Sequence, residues 1–327
     1  MKGGISAIAA YVPERRVTNE ELAETVDTSD EWIVSHTGIR ERRLATADQA
    51  ASDLGIEAAR EALEKARIAP EEVDLLIGAT STPDYSPFPA TACVIQDRLG
   101  CHNAGAFDLQ AGCTGFVYGL EVARGLMRSG GARRILVVGT EKLSSITNWE
   151  DRSTCVLFGD GAGAALLDSD ASDSHEVLGS HLRSQGSGDT ALIRELGGSR
   201  RPFDPATHTV AETMLYMDGR KVYLFAVDAI VKTIKQLCDD QGIAIDDLTW
   251  IVPHQANLRI IEAAAKRLGI PVERFYTNLD RYANTSAASI PIALVEMEER
   301  GLLNKGDTIL TVGFGAGLTY GGNVIRW

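Results

Sequence analysis

The chain is poor in the residues that build disulfide frameworks and structural zinc sites. Its 327 residues include only five cysteines, an odd number, and no two of them stand in CxxC spacing. Small secreted domains and zinc-bound domains depend on paired or clustered cysteines, so neither class is expected here. We predict that the protein works in the cytoplasm, where thiols stay reduced.

Long apolar runs and an excess of positive charge are also missing. No stretch approaches the roughly 20 consecutive apolar residues of a membrane span. Lys and Arg number 32 against 45 Asp and Glu, and the formal net charge of -13 argues against nucleic acid or anionic membrane as a general partner. The short apolar run 5–12 follows Lys2 and ends at Pro13, so we expect a first core strand rather than a signal peptide.

The chain contains enough apolar material for a large core. Hydrophobic residues make up 44% of the sequence. Short apolar runs at 73–78 and 134–139 alternate with longer helical stretches such as 52–66. This alternation of buried strands and helices predicts an α/β fold, built as one large domain or as two tightly packed halves.

The order of elements is repeated along the chain. A strand, a loop with a small polar residue, a helix, a charged turn and another strand occur twice in succession. Cys113 stands at the start of the helix in the first copy, and Asn284 stands there in the second. We therefore predict an N-terminal half at 1–168 and a C-terminal half at 169–327, with the two helix starts near one centre. The polar segment 169–217 is predicted to form loops, and we favour a lid.

Cys113 is the strongest candidate for a catalytic residue. A thiol at a helix N-terminus faces the positive end of the helix dipole, which predicts a lowered pKa and a larger thiolate fraction. Its small neighbours, Ala111-Gly112 and Thr114-Gly115, leave room for a substrate carbonyl and present backbone N–H groups as oxyanion donors. The alternative, a small buried hydrophobic residue, describes most free cysteines and is kept for the other four.

Two further polar residues stand where α/β proteins place their ligands. His254 follows the apolar run 248–252 and therefore lies at the carboxyl end of a predicted buried strand. A core histidine bonded to the backbone is the alternative. Asn284 opens a predicted helix, and a simple N-cap is the alternative for it. The glycines of 313–317 would let the backbone approach a reacting carbonyl.

These residues together resemble the β-ketoacyl-acyl-carrier-protein synthase III family of the thiolase superfamily, over the range from Ile5 to Trp327. The resemblance implies an α/β, thiolase-like fold with duplicated halves in five αβαβα layers, and a homodimer. The motifs that carry it are Trp32-Ile33-Val34, Thr37-Gly38-Ile39-Arg40, the Cys113 segment, Phe158 to Gly163, Pro253 to Asn257, Asn284 to Ser289 and the terminal glycine-rich strand.

The resemblance also implies a reaction. Cys113, His254 and Asn284 would form the catalytic triad, with the backbone N–H groups of Cys113 and Ala316 as the oxyanion hole. A short acyl-CoA, with acetyl-CoA the first expectation, would acylate Cys113, and malonyl-acyl-carrier protein would then be decarboxylated and condensed with the acyl group. The expected products are 3-oxoacyl-acyl-carrier protein, CoA and carbon dioxide. No metal or redox cofactor is expected, because the thiol and the paired donors supply the chemistry.

Matching positions imply a CoA site. Trp32 and Arg152 would flank the adenine, and an aromatic face with a guanidinium makes a reasonable clamp. Asn257 would line the pantetheine tunnel. His36 stands where the resemblance leads us to expect arginine, which removes a permanent charge near the nucleotide phosphates.

Other matching positions concern the acyl and malonyl pockets and the carrier protein. Phe314 would lie beside the malonyl carboxylate, and Phe88 would close the acyl pocket across a dimer interface and favour short primers. Acyl-carrier protein is acidic, so a local basic surface is needed on a chain of negative charge. Leu224 stands where a basic docking residue is expected. The candidate docking residues, which share one predicted helix, are Arg259, Lys266 and Arg267.

Three other functions remain open at this stage. A dedicated acyltransferase or polyketide starter enzyme would keep Cys113 and use a different acceptor. A cysteine hydrolase would use the same three residue types, but the papain-type motif around the cysteine is absent. A homologue that kept the fold without catalysis would act as a binding subunit.

Overall fold

The computed structural model describes residues 4–171 and 174–327. The strands are β1 Gly4–Tyr11, β2 Arg16–Thr18, β3 Glu41–Arg43, β4 Leu75–Ala79, β5 Gly105–Leu109, β6 Arg134–Glu141, β7 Gly161–Asp168, β8 His175–Ser184, β9 Leu192–Ile193, β10 Tyr216–Met217, β11 Trp250–Pro253, β12 Thr308–Gly315 and β13 Thr319–Arg326. The helices are α1 Asn19–Ala23, α2 Asp30–Thr37, α3 Ala51–Ala66, α4 Thr91–Leu99, α5 Gly115–Arg128, α6 Arg152–Cys155, α7 Gly219–Gln241, α8 Leu258–Leu268, α9 Leu279–Tyr282 and α10 Ser289–Glu299.

The central sheet contains two sets of strands with the same order and direction. It has nine strands in the order β11-β12-β13-β8-β1-β7-β6-β4-β5. In the first set β7 pairs antiparallel with β1 and β6, and β4 pairs parallel with β6 and β5. In the second set β8, β13 and β12 are antiparallel, β12 and β11 are parallel, and Ile251 forms a parallel bridge to Phe275 where a fifth strand would lie. This repetition agrees with the hypothesis of duplication, while the boundary at residue 168 stays a prediction.

Helices α5 and α10 lie between the two sets of strands. Helix α5 packs against β4 and β6 of the first set and against β8 and β13 of the second, and α10 packs against β1, β7 and β11. Helices α3 and α4 cover the other face of the first set, and α7 covers that of the second with α8 beside it. The predicted five-layered αβαβα arrangement is thus confirmed. The two central helices are the ones that follow Cys113 and Asn284.

Glycines allow α5 to lie close to the sheet. A Cβ added at Gly119 would stand 2.7 Å from a methyl of Val137, and one added at Gly115 would stand 3.0 Å from Ala79. Glycine in a helix costs about 1 kcal/mol relative to alanine, so close packing outweighs helix propensity here. This packing sets the position of the helix start, and hence of the residues just before it.

Several predicted element ends are shifted by a few residues. The helix expected directly after Asn284 begins at Ser289, because a 3-10 turn at Ser286–Ala288 intervenes. Pro291 still lies in its first turn, where the missing N–H is harmless. The predicted first strand is β1, and Lys2 before it lies outside the described residues. Within 4–171 and 174–327, no helix combines the length and apolar character that crossing a membrane would require.

Candidate active site

One cavity brings half of the predicted site residues together. It has a volume of about 200 Å³ and a mainly apolar wall. Side chains from both halves of the chain reach it, because the starts of the two central helices meet there. The predicted site residues that line it are Trp32, Cys113, His254, Asn257, Asn284 and Phe314.

Cys113 lies in a 3-10 turn, Gly112–Thr114, that leads directly into α5. The turn needs Gly112, whose φ of +54° lies in the left-handed region. The backbone of 315–316 lies against this turn: a Cβ at Gly315 would stand 2.6 Å from the Cys113 nitrogen, and one at Gly112 would stand 3.0 Å from the Ala316 nitrogen. The two N–H groups predicted to hold the oxyanion are therefore close to each other and to the thiol.

Thr319 joins the two segments that carry these N–H groups. Its hydroxyl lies 2.8 Å from the Ala111 carbonyl oxygen and 3.0 Å from that of Ala316, and the Thr114 hydroxyl donates to it at 2.9 Å. The sequence contains no local signal for this role, because Thr319 and Ala111 are 208 positions apart. The one local feature that could have indicated this role is that Thr319 closely follows the glycine-rich segment 313–317.

Burial raises the pKa of the Cys113 thiol to about 12. A hydrogen bond with the Ser286 side chain acts in the opposite direction, and the negative charge of the buried Glu141 raises the pKa further. The prediction of a lowered pKa is therefore wrong for the enzyme without substrate. The physical reason is that an apolar cavity removes water from the thiolate, and this cost exceeds the benefit of the helix terminus. Neither Ser286 nor Glu141 was identified from the sequence.

His254 is a neutral, fully enclosed side chain at the end of β11. Its backbone N–H donates to the Val312 carbonyl oxygen at 2.8 Å, which holds the residue next to β12. Burial lowers the pKa of the imidazole to about 3, so one ring nitrogen carries the only ring proton at neutral pH. Nδ1 lies 2.7 Å from the Ser289 hydroxyl oxygen. The Phe314 ring stands edge-on, with centroids 5.2 Å apart.

Asn284 lies one residue before Thr285, the N-cap position of the 3-10 turn that precedes α10. Its Oδ1 accepts from the Ser286 N–H at 2.8 Å and so caps the first N–H of this turn. Its backbone is fastened to the neighbouring loop by the Asn284 N–H to Leu157 carbonyl bond at 2.9 Å and the Gly159 N–H to Asn284 carbonyl bond at 3.0 Å. With Oδ1 engaged in the cap, the amide Nδ2 is the group left to donate toward the cavity.

The two residues predicted to flank the adenine contact each other, and Trp32 lines the cavity. The Arg152 guanidinium lies 5.0 Å from the centre of the Trp32 ring. His36 is stacked on the same ring system with centroids 4.3 Å apart, and Asn257 donates to the His36 carbonyl oxygen at 3.2 Å. At the position where arginine was expected, the protein therefore has a histidine whose ring packs against Trp32.

The polar segment 169–217 also contributes to the cavity. Leu192 of β9 and Met217 of β10 line it, and these two short strands pair with each other. This arrangement is consistent with the preference for a lid over an inert excursion. Residues 172–173 of the segment lie outside the described part of the chain.

The remaining predicted residues lie outside the cavity. Phe88 is 78% exposed in this single chain. The candidate docking residues of α8 are on the surface, but Arg267 is paired with Asp228 at 3.0 Å. Leu224, where a basic residue was expected, is 60% exposed. Of the three candidates, Arg259 and Lys266 have no ion pair with any residue in 4–171 or 174–327, so they remain the candidates for docking.

The raised pKa of Cys113 predicts how the thiol reacts with iodoacetamide. Only the thiolate is alkylated, so the rate at Cys113 should rise about tenfold per pH unit from about pH 7 to about pH 10 without a plateau. Peptide mass spectrometry measures this rate separately from that of the exposed Cys93. A plateau below about pH 8 would instead show a thiol activated in the resting enzyme.

A duplicated αβαβα fold whose central helices bring a thiol and an amide to one buried cavity is the architecture of thiolase-like condensing enzymes. Comparison with known proteins narrows this class. Sequence models described as the 3-oxoacyl-[acyl-carrier-protein] synthase III domain and its C-terminal domain match residues 107–186 and 238–327.

Individual relatives agree over the whole length. A beta-ketoacyl-[acyl-carrier-protein] synthase III from Caldanaerobacter subterraneus subsp. tengcongensis is 49% identical over 99% of this chain and 97% of its own. The crystal structure of the Thermus thermophilus synthase III is 45% identical over 99% of each chain, with a TM-score of 0.91. The priming β-ketosynthase of the R1128 polyketide pathway is 35% identical over 99% of this chain and 96% of its own, with a TM-score of 0.90. The chain belongs to the β-ketoacyl-acyl-carrier-protein synthase III family, whose members are acyl-transferring condensing enzymes.

Proposed function

We propose that the protein condenses a short acyl group, taken from acyl-CoA, with malonyl-acyl-carrier protein to give 3-oxoacyl-acyl-carrier protein, CoA and carbon dioxide. The observation that carries this proposal is the single cavity in which a thiol, a neutral imidazole and an amide donor meet. The thiol serves acyl transfer, and two uncharged donors serve the enolate. A hydrolase would need one of these groups to activate water, and the apolar wall disfavours water.

In the acyl-transfer step the Cys113 sulfur attacks the thioester carbonyl carbon. The carbonyl oxygen becomes an oxyanion, and the N–H groups of Cys113 and Ala316 donate to it. The carbon–sulfur bond to CoA then breaks, and CoA leaves as the thiol with the proton that Cys113 gave up. The proton must leave the cysteine during this step, because its raised pKa keeps the resting thiol protonated.

In the condensation step the malonyl thioester carbonyl oxygen accepts hydrogen bonds from His254 Nε2 and Asn284 Nδ2. The bond between the carboxylate and the α-carbon breaks, carbon dioxide leaves, and the electron pair forms an enolate held by these two donors. The α-carbon then attacks the acyl-cysteine carbonyl carbon, the bond from that carbon to sulfur breaks, and the cysteine leaves as a thiolate that takes up one proton from solvent to restore the resting thiol. The apolar ring of Phe314 beside His254 replaces water around the malonyl carboxylate, which disfavours the charged group and favours its loss as carbon dioxide.

No metal or redox cofactor takes part in this proposal. Acyl transfer requires a nucleophile and an oxyanion hole, and decarboxylation of a β-carbonyl acid requires only donors to the carbonyl oxygen. The chain's own groups supply both. We place the reaction in the cytoplasm, in keeping with cysteines that are all free among the described residues.

In this proposal the choice of primer depends on the oligomeric state, because a second copy of the chain closes the acyl pocket. Phe88 follows β4 at the side of the sheet where β5 forms the edge, and β5 presents Phe107 to solvent. An exposed edge strand with apolar side chains is a surface that another chain covers. We propose that a second copy pairs at β5 and that its Phe88 closes the acyl pocket, which favours short primers such as acetyl.

The dimer predicts a specific effect of charge at β5. Sedimentation velocity should give twice the chain mass of 35.1 kDa, and Phe107→Glu should shift the protein to monomer and lower its condensing activity. Phe203→Glu is the matched control, because Phe203 is exposed to the same degree, 40% against 38%, on a distant loop. A wild-type monomer, or a dimer unaffected by Phe107→Glu, would contradict pairing at β5.

We propose that carrier protein docks along the exposed face of α8, from Arg259 in its first turn beside the cavity mouth to Lys266 in its last turn. Asn257 lines the cavity and caps α8 by accepting from the Arg259 N–H at 2.9 Å, so this helix start lies at the mouth. A positive surface there suits an acidic partner even though the whole chain is negative.

The function is tested by intact-protein mass after incubation with acyl-CoAs of increasing length, followed by malonyl-acyl-carrier protein. The expected result is an adduct with short primers that disappears as 3-oxoacyl product forms. The likeness to a priming β-ketosynthase favours one second candidate, a polyketide starter enzyme. An adduct that resists malonyl-acyl-carrier protein but moves to another acceptor would favour an acyltransferase, and the absence of any adduct would overturn the proposal.

A further inference from the structure

We propose that Ser289 is a positioning residue that sets the tautomer of His254, so that Nε2 carries the ring proton and points its N–H into the cavity. Its consequence for the reaction rests on the proposed function, but the tautomer itself does not. Ser289 does not line the cavity and is the first residue of α10.

The contact between the two side chains is short and shielded from water. The Ser289 hydroxyl oxygen lies 2.7 Å from His254 Nδ1, and the two residues are 2% and 1% exposed. At this distance one of the two groups must donate and the other must accept. Either the serine hydroxyl donates to an unprotonated Nδ1, or Nδ1–H donates to the serine oxygen.

A second hydrogen bond decides between the two. The backbone N–H of Gln255 points at the same Ser289 oxygen, at 3.4 Å, and a backbone N–H can only donate. The serine oxygen thus accepts already, which directs its own proton to Nδ1. In the opposite arrangement the oxygen would accept from two N–H groups, and the hydroxyl proton would need another acceptor in a site with almost no access to water.

The Gln255 residue is fixed in the fold by hydrogen bonds of its side-chain amide. Its side-chain nitrogen donates to the Pro253 carbonyl at 2.8 Å and to the Tyr276 carbonyl at 3.1 Å, and its side-chain oxygen accepts from the Asn278 N–H at 2.9 Å. All the hydrogen-bonding groups of the Gln255 amide are therefore engaged within the fold. These bonds fix the Gln255 side chain in the fold, and its backbone N–H points at Ser289.

The tautomer matters because a carbonyl oxygen can only accept. With the proton on Nε2, His254 donates to the malonyl thioester oxygen together with Asn284. With the proton on Nδ1, a lone pair on Nε2 would face the lone pairs of that oxygen. The loss would affect the decarboxylation step and leave formation of the acyl-cysteine largely unchanged, because that oxyanion is held by backbone N–H groups.

Nitrogen NMR on the wild-type protein tests the assignment without any substrate. With histidine labelled by ¹⁵N, the expected His254 spectrum shows protonated Nε2 and unprotonated Nδ1, and comparison with His254→Gln identifies the signals among the six histidines. A wild-type spectrum with protonated Nδ1 overturns the proposal directly. In Ser289→Ala the spectrum is expected to shift toward a mixture of tautomers.

Kinetics of the same variants test the consequence. In Ser289→Ala the rate of carbon dioxide release from malonyl-acyl-carrier protein should fall about 10-fold to 100-fold, because loss of the hydroxyl frees the tautomer rather than imposing the wrong one. Acyl-adduct formation should stay within about twofold of wild type. Ser289→Thr keeps the hydroxyl and should restore both the tautomer and most of the rate. Ser52→Ala removes another buried serine hydroxyl that lies outside the cavity lining and controls for lost stability.

The outcomes separate this inference from the proposed function. An Nε2-protonated wild type with no condensation would remove the proposed function and leave the tautomer standing. A Ser289→Ala protein that keeps protonated Nε2 and the full rate would overturn the role of Ser289. Should the alanine variant fail to fold, the wild-type spectrum and the Ser289→Thr variant still decide the assignment.

Discussion

Replacement of Cys113 by alanine is expected to abolish the acyl-enzyme and to lower condensation at least about 10,000-fold, because the thiol is the strongest nucleophile among the side chains that line the cavity. The change is small in volume and removes no hydrogen bond of the fold's framework, so the protein should stay folded. Intact-protein mass after incubation with a short acyl-CoA measures the adduct. Circular dichroism and thermal unfolding verify the fold.

A matched control is available within the chain. Cys93 is free and exposed, whereas Cys113 is buried. Cys93→Ala should form the adduct and the condensation product at the wild-type rate, which excludes acylation of an accessible but irrelevant thiol. An adduct of unchanged amount on Cys113→Ala would refute the assignment of the nucleophile, whatever the control showed.

Removal of the Asn284 amide donor is expected to lower decarboxylative condensation about 100-fold to 1,000-fold, the usual effect of losing one oxyanion donor. Acylation of Cys113 should continue, because it relies on backbone N–H groups. The two half-reactions are measured separately, by adduct mass with acyl-CoA and by carbon dioxide release from malonyl-acyl-carrier protein. Normal condensation by Asn284→Ala would contradict the role of the amide.

The structural role of Asn284 requires a second variant. Its Oδ1 caps the Ser286 N–H, and Asn284→Ala removes that cap together with the Nδ2 donor. Asn284→Asp keeps an oxygen for the cap and replaces the donor by a second acceptor, so it should keep stability and still lose condensation. Full condensation by the aspartate variant would show that the cap, and not the donor, is what the reaction needs.

The sequence predicted the local elements well where a pattern is confined to a few neighbouring residues. The helix expected at 52–66 is α3, Ala51–Ala66, and the strand expected at 134–139 lies within β6, Arg134–Glu141. Apolar runs bounded by turn residues report directly on burial, so these elements do not depend on distant contacts. The shifted start of α10 shows the limit, since the 3-10 turn before it depends on the Asn284 cap.

The sequence by itself predicted the α/β class and the repeated order of elements, because apolar runs and the polar or glycine residues at their ends are visible in local order. Cys113 was a candidate by its position at a helix start, whereas the triad with His254 and Asn284 was implied by the resemblance to the synthase III family. Only the tertiary structure decided the burial of the thiol and the imidazole, the direction in which burial shifts their pKa values, and the hydrogen bonds of Ser289 and Thr319. Desolvation of a thiol depends on every side chain around it, and a hydroxyl that binds a partner 35 or 208 positions away leaves no trace in local spacing.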